Sequence, residues 1–318
     1  MSTLIEHELS SIAPSKNTLV SVGMFDGLHM GHQALVRRLA EQAHEKEVLS
    51  AVITFKQHPS TLLTPSESVP LLISLDERIR LLTAMNVDIV IALTFSQELA
   101  ALGAQPFVSM LQRNLKMHGM ILGWDFALGH HREGSLEALH KLGYQLGFST
   151  EVVGPVKYHD KIVSSTAIRQ ALAAGDVSTA NAMLSRPFSL AGTVVSGDGR
   201  GAKLGFPTAN LNLAVQQALP ADGVYATYAT CDEQIYPAAL FIGTRPTFNG
   251  VKCIAEAHLL DFNSNLYNRH LKIDIIGWLR GANTFPDASS LQAQIALDIT
   301  QIRRMLSAYN CCNNPEKS

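Results

Sequence analysis

The fold of the first half of the chain follows from one stretch of sequence, Thr18-Leu-Val-Ser-Val-Gly23-Met-Phe-Asp-Gly-Leu-His-Met-Gly-His32. Its first five residues are β-branched or apolar around a single serine, which is typical of a buried strand. Leu35, Leu39 and Ala43 then repeat at helical spacing over residues 32–46. A strand that passes through a glycine turn into a helix predicts a parallel sheet with a ligand-binding crevice at that turn.

The same alternation continues through the rest of the first half. The sequence predicts further strands at residues 48–55, 88–93, 120–122 and 150–153, and helices at residues 75–85 and 106–118. Strands that alternate with helices require crossover connections and therefore a parallel sheet. We predict an α/β, Rossmann-like N-terminal domain over residues 1–186.

After Arg186-Pro187 the sequence pattern changes to short runs of alternating apolar and polar residues, typical of strands, separated by turn residues. These strands are predicted at residues 190–195, 224–230, 237–242, 253–261 and 271–276, and a helix at residues 289–306 follows them. The pattern favours a small antiparallel β-barrel with a terminal helix, followed by a frayed tail at residues 310–318. We predict that this C-terminal domain covers residues 187–318.

Composition limits the classes of function. The chain has 318 residues, 47% hydrophobic and 16% charged, with a net charge of −2, which excludes a disordered scaffold and a broad basic surface for nucleic acid. Its four cysteines lack CxxC spacing, and no signal-peptide pattern or run of about 18 apolar residues occurs. We expect a soluble cytoplasmic protein that binds neither nucleic acid nor membrane, and the oligomeric state stays open.

The first glycine turn has the composition of a phosphate-binding site. Gly27 and Gly31 allow close backbone approach, and the start of a helix presents free N–H groups and a partial positive charge. His29 and His32 can donate hydrogen bonds to phosphate. A single histidine would more often be structural, but two of them within a glycine turn favour a nucleotide site.

A second element opens another helical stretch, Ser164-Ser165-Thr166-Ala167-Ile168-Arg169. Its hydroxyls suit an N-cap, and its arginine follows one turn later. The element is interpreted either as a clamp on the β- and γ-phosphates or as an ordinary capping motif. The two histidines of the turn at residues 23–32, called the histidine turn below, favour the interpretation of this element as a phosphate clamp.

The second half has its own glycine-rich loop, Gly197-Asp-Gly-Arg-Gly201-Ala-Lys203-Leu-Gly205-Phe-Pro207-Thr208-Ala-Asn210. It is not a Walker A loop, because the Gly-Lys-Ser/Thr ending is absent. Its backbone can wrap phosphates, and Thr208 and Asn210 offer uncharged oxygens of the kind that Mg²⁺ accepts.

Together these motifs resemble those of the bifunctional bacterial riboflavin kinase/FMN adenylyltransferase (FAD synthetase) family, from about residue 18 to residue 306. The turn at residues 23–32 matches a nucleotidyltransferase signature, and further matches lie at His58-Pro59, at residues 123–126 and at residues 164–169. The resemblance implies phosphorylation of riboflavin to FMN and adenylylation of FMN to FAD, with ATP as co-substrate and Mg²⁺ as cofactor. The implied ligands are riboflavin, FMN, FAD and ATP.

The resemblance also implies roles for individual residues. The implied catalytic residues are His29, His32, Arg169 and, as the base of the kinase, Glu256. ATP and its phosphates would contact Gly23, Phe25, Asp26, Gly27, Gly31, Ser164, Ser165, Thr166, Gly201, Lys203, Gly205 and Pro207. The flavin would contact Asp125, Phe126, Tyr225, Tyr267 and Arg280, and the metal would contact Thr208 and Asn210. Without the resemblance, Glu256 would be interpreted as a strand carboxylate facing solvent and the two tyrosines as barrel packing.

Some positions depart from the family pattern. They are Gln57, Ala127, Leu128, Phe241, Asn268, Ala282 and Thr284. The neighbouring residues His130, His131 and Arg132 either touch nucleotide phosphate or form an exposed loop. Because of the departures, two alternatives stay open: an enzyme that retains one of the two activities, and a flavin-binding or flavin-sensing protein without turnover.

Overall fold

The computed structural model describes residues 4–64, 69–129, 133–197, 199–214, 216–247 and 250–313, and for residues 244–247, 250–253 and 312–313 it describes the backbone alone. Contacts divide the chain into two compact units, Met1–Ser165 and Thr166–Ser318. In the described residues, no helix is both long enough and apolar enough to cross a membrane.

A five-stranded parallel sheet organises the first unit. Its strands are β1 (Thr18–Val22), β2 (Leu49–Phe55), β3 (Ile89–Leu93), β4 (Met117–Gly123) and β5 (Ser149–Val153). Their order is β3-β2-β1-β4-β5, and every neighbouring pair is parallel. The predicted α/β architecture is therefore confirmed. Because the chain fills one side of β1 first and then the other, the carboxyl end of β1 lies at the topological switch point, where open sheets bind ligands.

Helices accompany this sheet, and those that follow β1 lie in its crossover connections. They are α1 (Leu4–Ser10), α2 (Met30–Glu45), α3 (Ser60–Leu63), α4 (Leu75–Thr83), α5 (Gln97–Ala101), α6 (Ala104–Leu115) and α7 (Leu136–Leu146). Alternate residues of β1 enter different apolar clusters, with Val20 and Val22 in one and Leu19 in the other. Both faces of the sheet are thus covered, as a parallel sheet requires. A short antiparallel pair, β6 (Lys157–Tyr158) and β7 (Lys161–Ile162), precedes the end of the unit.

One predicted boundary in this unit is wrong. The helix expected at residues 106–118 ends at Leu115, where Lys116 adopts a left-handed conformation with φ of 49°. Residues 117–123 form β4 instead. The apolar pattern runs on without a break from the buried helix face into a buried strand, so hydrophobic periodicity alone does not reveal the change.

The second unit contains helices followed by a closed barrel. The helices α8 (Ser165–Ala173) and α9 (Val177–Leu184) come first, although Ser165 itself is grouped with the first unit. The barrel strands are β8 (Phe188–Val195), β9 (Ala209–Leu213), β10 (Gly223–Cys231), β11 (Gln234–Thr247), β12 (Gly250–Leu259) and β13 (His270–Arg280). They close in the order β10-β11-β12-β9-β8-β13, and all paired strands are antiparallel.

The predicted barrel with a terminal helix is confirmed. A short α10 (Arg200–Lys203) lies between β8 and β9, and α11 (Ala288–Asn313) ends the described chain. Ile302 and Leu306 of α11 are buried in one apolar cluster with Val224 and Ala226 of β10. Residues 310–313 were expected to fray, but they continue this helix, and residues 314–318 lie outside the described residues.

The helices α8 and α9 are tied to the barrel. The side-chain amide of Asn181 donates to the Ile275 carbonyl at 2.9 Å and accepts from the Phe188 N–H at 2.7 Å. The Ala221 N–H donates to the Leu172 carbonyl at 2.9 Å. The contact-based division therefore precedes the predicted domain boundary after residue 186, and that boundary stays a prediction.

Candidate active sites

The glycine turn of residues 23–32 leaves the carboxyl end of β1 and is fixed from several sides. The Asp26 carboxylate, 2% exposed, accepts the N–H of Leu72 at 2.9 and 3.1 Å and that of Ile73 at 3.3 Å. Ser165 Oγ donates to the Asp26 carbonyl at 2.8 Å, and Thr54 Oγ1 donates to the Met24 carbonyl at 3.0 Å. The Asp26 side chain is thus already used to hold the turn in shape.

The backbone of this turn is strained. Phe25 and Leu28 have φ of 49° and 39°, a left-handed region that costs ordinary side chains of order 1 kcal/mol or more each, whereas Gly27 adopts φ of 80° at little cost. Phe25 and Leu28 are only 1% and 2% exposed, so their packing in the core offsets the strain. The turn is therefore pre-formed, which suits a ligand site.

The two histidines of the turn form one unit. His29 is the N-cap of α2, and its Nδ1 accepts the His32 backbone N–H at 3.3 Å. The two rings stack with centroids 3.7 Å apart and an angle of 16°. Because Nδ1 accepts, a neutral His29 carries its proton on Nε2, which can donate to a ligand.

His32 has an unusual environment. Its ring meets Phe25 edge-on at 5.3 Å, and its Nδ1 is shielded from solvent with no hydrogen-bond partner in the described residues. Burial lowers the pKa of His32 well below its usual value, and Coulombic interactions with His29 and Arg78 lower it further. His32 is therefore neutral at neutral pH.

Gly31 is required by the His29 ring. A Cβ atom at this position would lie 3.2 Å from His29 Cε1 and 3.3 Å from its Nδ1, which is tighter than ordinary van der Waals contact. The glycine leaves room for the ring beside the first turn of α2, where His29 Nδ1 accepts the His32 N–H.

The predicted phosphate clamp starts at the end of the first unit. Ser164 and Ser165 are half-buried, and Ser165 reaches the glycine turn through the hydrogen bond to Asp26. Thr166 is exposed, and Arg169 is half-buried in α8, one turn later. Both belong to the second unit, so the approach of Arg169 to the histidine turn stays a prediction.

The remaining first-unit motifs follow β2 and β4, the two strands beside β1. Gln57 donates to the Phe95 carbonyl at 2.9 Å, so this departure from the family pattern is satisfied locally, and His58 Nδ1 lies 2.7 Å from Ser60 Oγ. Asp125 is exposed directly after β4, and Phe126 packs against the apolar core. Residues 130–132 lie outside the described residues.

The second unit contains a cavity of about 650 Å³. Among the residues that line it are the predicted site residues Gly201, Thr208, Asn210, Glu256 and Arg280. Glu256 of β12 pairs with Asn210 of β9 on one side and with Phe241 of β11 on the other. Directly opposite residues in antiparallel strands present their side chains to the same face, and Thr208 Oγ1 donates to Glu256 Oε2 at 3.3 Å.

Glycines let the loop approach these side chains closely. A Cβ on Gly201 would overlap the Phe206 carbonyl and lie 2.9 Å from Thr208 Oγ1, and a Cβ on Gly197 would overlap the Asn210 amide group. Gly205 adopts φ of 83°. Lys203, Gly205 and Pro207 are exposed and are not among the cavity-lining residues, so their contacts with ATP stay predictions.

Two further cavity residues were not predicted from the sequence. His258 donates from Nδ1 to the Pro207 carbonyl at 2.8 Å and so fixes the loop before Thr208. Asp298, 4% exposed, accepts from Arg280 Nε at 3.0 and 3.1 Å and from Nη2 at 2.6 Å. The signal for Asp298 is its helical spacing, because it shares a face of α11 with Leu291, Ile295 and Ile302.

The two predicted flavin tyrosines lie elsewhere. Tyr225 is fully buried and donates to the Ala221 carbonyl, and burial, with Asp222 nearby, raises its pKa to about 12. Tyr267 is exposed. Neither is among the residues that line the cavity, so their contact with flavin stays a prediction.

In the second unit, the structure explains one departure from the family pattern and locates three more. Asn268 has φ of 64°, a conformation that glycine adopts freely and asparagine tolerates better than most residues. Phe241 lines the cavity, whereas Ala282 and Thr284 alternate with the lining residues Asn283 and Phe285. Phe241 therefore lies in the cavity wall, and Ala282 and Thr284 lie beside residues of that wall.

Two protein-family models match the chain, one to each half. The model for FAD synthetase matches residues 11–167, and the model for riboflavin kinase matches residues 184–306. The chain shares the fold of a crystal structure described as a macrolide-efflux protein from Streptococcus pneumoniae, with a TM-score of 0.84 and 30% identity. That match covers 91% of this chain and 95% of the other.

Curated relatives match over nearly the whole length. The bifunctional riboflavin kinase/FMN adenylyltransferase of Escherichia coli (strain K12) is 37% identical over 294 residues, which cover 92% of this chain and 93% of that protein. The enzymes of the same description from Pseudomonas fluorescens and Bacillus subtilis are 36% and 31% identical, each over 91% of this chain and 93% of the relative. The chain therefore belongs to the bifunctional riboflavin kinase/FMN adenylyltransferase family and contains both an FAD synthetase domain and a riboflavin kinase domain.

Proposed function

We propose that the chain converts riboflavin to FMN in the cavity of its second unit and FMN to FAD at the histidine turn of its first, with one ATP consumed in each step. The observation that carries the proposal is the convergence of Thr208, Asn210 and Glu256 on one wall of a cavity large enough for a flat heteroaromatic ring. The proposed domains are residues 1–186 for the FAD-forming step and 187–318 for the kinase.

In the kinase step, the ribityl 5′-hydroxyl attacks the γ-phosphorus of ATP. The new O–P bond forms as the bond between the γ-phosphorus and the β–γ bridging oxygen breaks, so FMN and ADP leave. Glu256 accepts the hydroxyl proton and orients the attacking oxygen, as a carboxylate base does in phosphoryl transfer. The loop glycines, including Gly201 and Gly205, would bring backbone N–H groups close to the phosphates, and Lys203 and Pro207 would complete the ATP contacts.

The residues beside Glu256 fit Mg²⁺. Thr208 and Asn210 offer a hydroxyl and an amide oxygen, which are hard ligands that suit this cation. The Thr208 hydroxyl directs its proton to Glu256, so its lone pairs remain free for a cation. A bound Mg²⁺ would neutralise phosphate charge. Thr208 and Asn210 would then position the nucleotide phosphates close to Glu256.

In the FAD-forming step, an oxygen of the FMN phosphate attacks the α-phosphorus of a second ATP, and pyrophosphate leaves. The nucleophile is already an anion at neutral pH, so no general base is needed. His29 Nε2–H, His32 and the N-terminus of the 16-residue α2 donate to the charge that develops on the α-phosphate and on pyrophosphate. Arg169 would act on the leaving group, and Ser164, Ser165 and Thr166 would hold the phosphates.

The contacts proposed for flavin are Asp125 and Phe126 in the first unit and Arg280, with Tyr225 and Tyr267, in the second. Arg280 has the clearest geometry, since Asp298 takes its Nε–H and one Nη2–H while Nη1 donates to the Gly281 carbonyl at 3.0 Å. Of the five guanidinium N–H groups, two then remain for a ligand carbonyl.

We place the protein in the cytoplasm, where ATP is available and cysteines are kept reduced.

Asp298→Asn is expected to raise the KM for riboflavin by about tenfold or more with a smaller change in kcat, because Arg280 loses the carboxylate that directs it into the cavity. Steady-state kinase assays measure both constants. Asp261→Asn is the matched control, because that exposed carboxylate pairs with Arg303 at 2.7 Å and does not line the cavity. An unchanged KM in Asp298→Asn would remove Arg280 from the flavin site.

The proposed function is tested by incubating the purified chain with riboflavin, ATP and Mg²⁺ and separating the flavins by chromatography over time. We expect FMN to rise first and FAD to follow, and a chelator in excess of the metal to stop both. FMN without FAD, or product from added FMN alone, would identify an enzyme with one retained activity. Tight flavin binding without ATP consumption would identify a flavin sensor.

A further inference from the structure

Arg78 of α4 is a fully buried arginine, with 0% of its surface exposed. Its Nη1 donates to the Phe55 carbonyl at 2.9 Å and to Thr54 Oγ1 at 3.1 Å. Its Nε and Nη2 are shielded from solvent and have no hydrogen-bond partner in the described part of the chain. Among the described residues, two of the three guanidinium nitrogens therefore lack a hydrogen-bond partner.

Packing alone does not account for this residue. Leu82, one turn later on the same face of α4, is also fully buried, so an apolar side chain would suit the position. A buried cation without an ion pair is costly, and Arg78 forms none with the described residues. Burial lowers its pKa, and the Coulombic attraction of Asp26 opposes that effect.

The contacts of Arg78 lead directly to the histidine turn. Thr54, which accepts from Arg78, donates to the Met24 carbonyl at 3.0 Å, and Arg78 Nη1 lies 3.9 Å from Met24 Sδ. Asp26, the charged group that acts on Arg78, belongs to the same turn and holds it to Leu72 and Ile73. Arg78 therefore presents a positive charge to the turn that carries His29 and His32.

That charge acts on His32. The groups that lower the pKa of His32, besides burial, are His29 on the same turn and Arg78 from α4, while the Phe25 ring in edge contact is neutral. A guanidinium stays charged across the physiological range, whereas an imidazole does not. Arg78 thus supplies positive potential that does not change with pH, and His32 is left as a neutral donor.

We propose that Arg78 is a positioning residue of the FAD-forming site. It holds the histidine turn (residues 23–32) at Met24 through Thr54, and it supplies a fixed positive charge beside the His29–His32 pair. The inference rests on the proposed function of that pair. Its chemical consequence is that a polyanionic nucleotide meets a fixed positive charge beside a neutral His32.

The test compares Arg78→Met and Arg78→Lys with the matched control Arg80→Met, which removes an exposed cation from the same helix. FAD formation from FMN and ATP is measured between about pH 5 and pH 8, and FMN formation is measured in parallel. We expect Arg78→Met to lose about tenfold or more in kcat/KM for ATP, and we expect Arg78→Lys and Arg80→Met to retain most of it.

The pH profile separates a charge effect from a structural one. Removing Arg78 raises the pKa of His32, so His32 takes up its proton at a higher pH. The acidic limb of the FAD-formation profile, the part in which His32 titrates, should therefore move to higher pH. Arg78→Lys and Arg80→Met should keep the wild-type limb. A slower Arg78→Met enzyme with an unmoved limb would overturn the proposal.

Two further outcomes are decisive. If Arg78→Met does not fold, Arg78→Gln keeps N–H donors for Thr54 and Phe55 while losing the charge, and it should show the same shift of the limb. Loss of folding in both neutral variants, with Arg78→Lys folded, would make the residue structural and overturn the proposal. A wild-type chain that forms no FAD refutes the proposed function itself, whereas an unshifted variant refutes only the role of Arg78.

Discussion

Glu256→Gln is expected to lower FMN formation by about two to four orders of magnitude, the range associated with a positioned general base. The amide keeps the size of the side chain and can still accept from Thr208, so the cavity wall should remain intact. What is lost is the group that accepts the proton of the ribityl hydroxyl. Initial rates of FMN formation from riboflavin and ATP measure the effect.

The same variant should still form FAD when FMN is supplied, because the histidine turn belongs to the other unit. Glu233→Gln is the matched control, since Glu233 is an exposed carboxylate in the second unit that does not line the cavity. Kinase activity close to wild type in Glu256→Gln would remove this residue from the mechanism.

His32→Ala should lower FAD formation by about one to three orders of magnitude, by analogy with the loss of one donor to a developing charge. The change removes a donor and also the ring on which His29 stacks. FMN formation should stay nearly unchanged. Both rates come from one chromatographic assay, started with riboflavin or with FMN.

His44→Ala is the control for His32→Ala, because His44 is an exposed histidine in the last turn of the same helix. It should leave both rates at the wild-type level. Equal loss of FMN and FAD formation in His32→Ala would argue against two separate sites.

The sequence was sufficient to predict the parallel sheet, the barrel and the two glycine-rich segments, because their signals are local. The glycine turn follows an apolar strand directly, and the kinase loop precedes Thr208 and Asn210 by a few residues. The strand β9 was missed, because Ala209-Asn-Leu-Asn-Leu213 was interpreted only as a ligand segment although its residues alternate. The helix α7 was missed as well, because Gly143 interrupts its pattern.

The supporting residues were harder to predict, because tertiary packing decides their environment. Arg78 stands in Leu75-Asp-Glu-Arg-Ile-Arg80, which is typical of a solvated helix face, yet it is buried while Arg80 is exposed. Asp298 and His258 support Arg280 and Pro207 from other elements of the barrel unit. Such partners are distant in sequence, so no local pattern connects them.

If one chain carries two independent sites joined by free FMN, two variants that each lack one site should complement each other. The experiment incubates riboflavin, ATP and Mg²⁺ with Glu256→Gln alone, with His32→Ala alone, and with an equal mixture of the two, and measures FAD. The two-site arrangement predicts very little FAD from either variant alone and restored FAD formation in the mixture, because FMN released by His32→Ala is the substrate of Glu256→Gln. A mixture that forms no more FAD than the separate variants would contradict it.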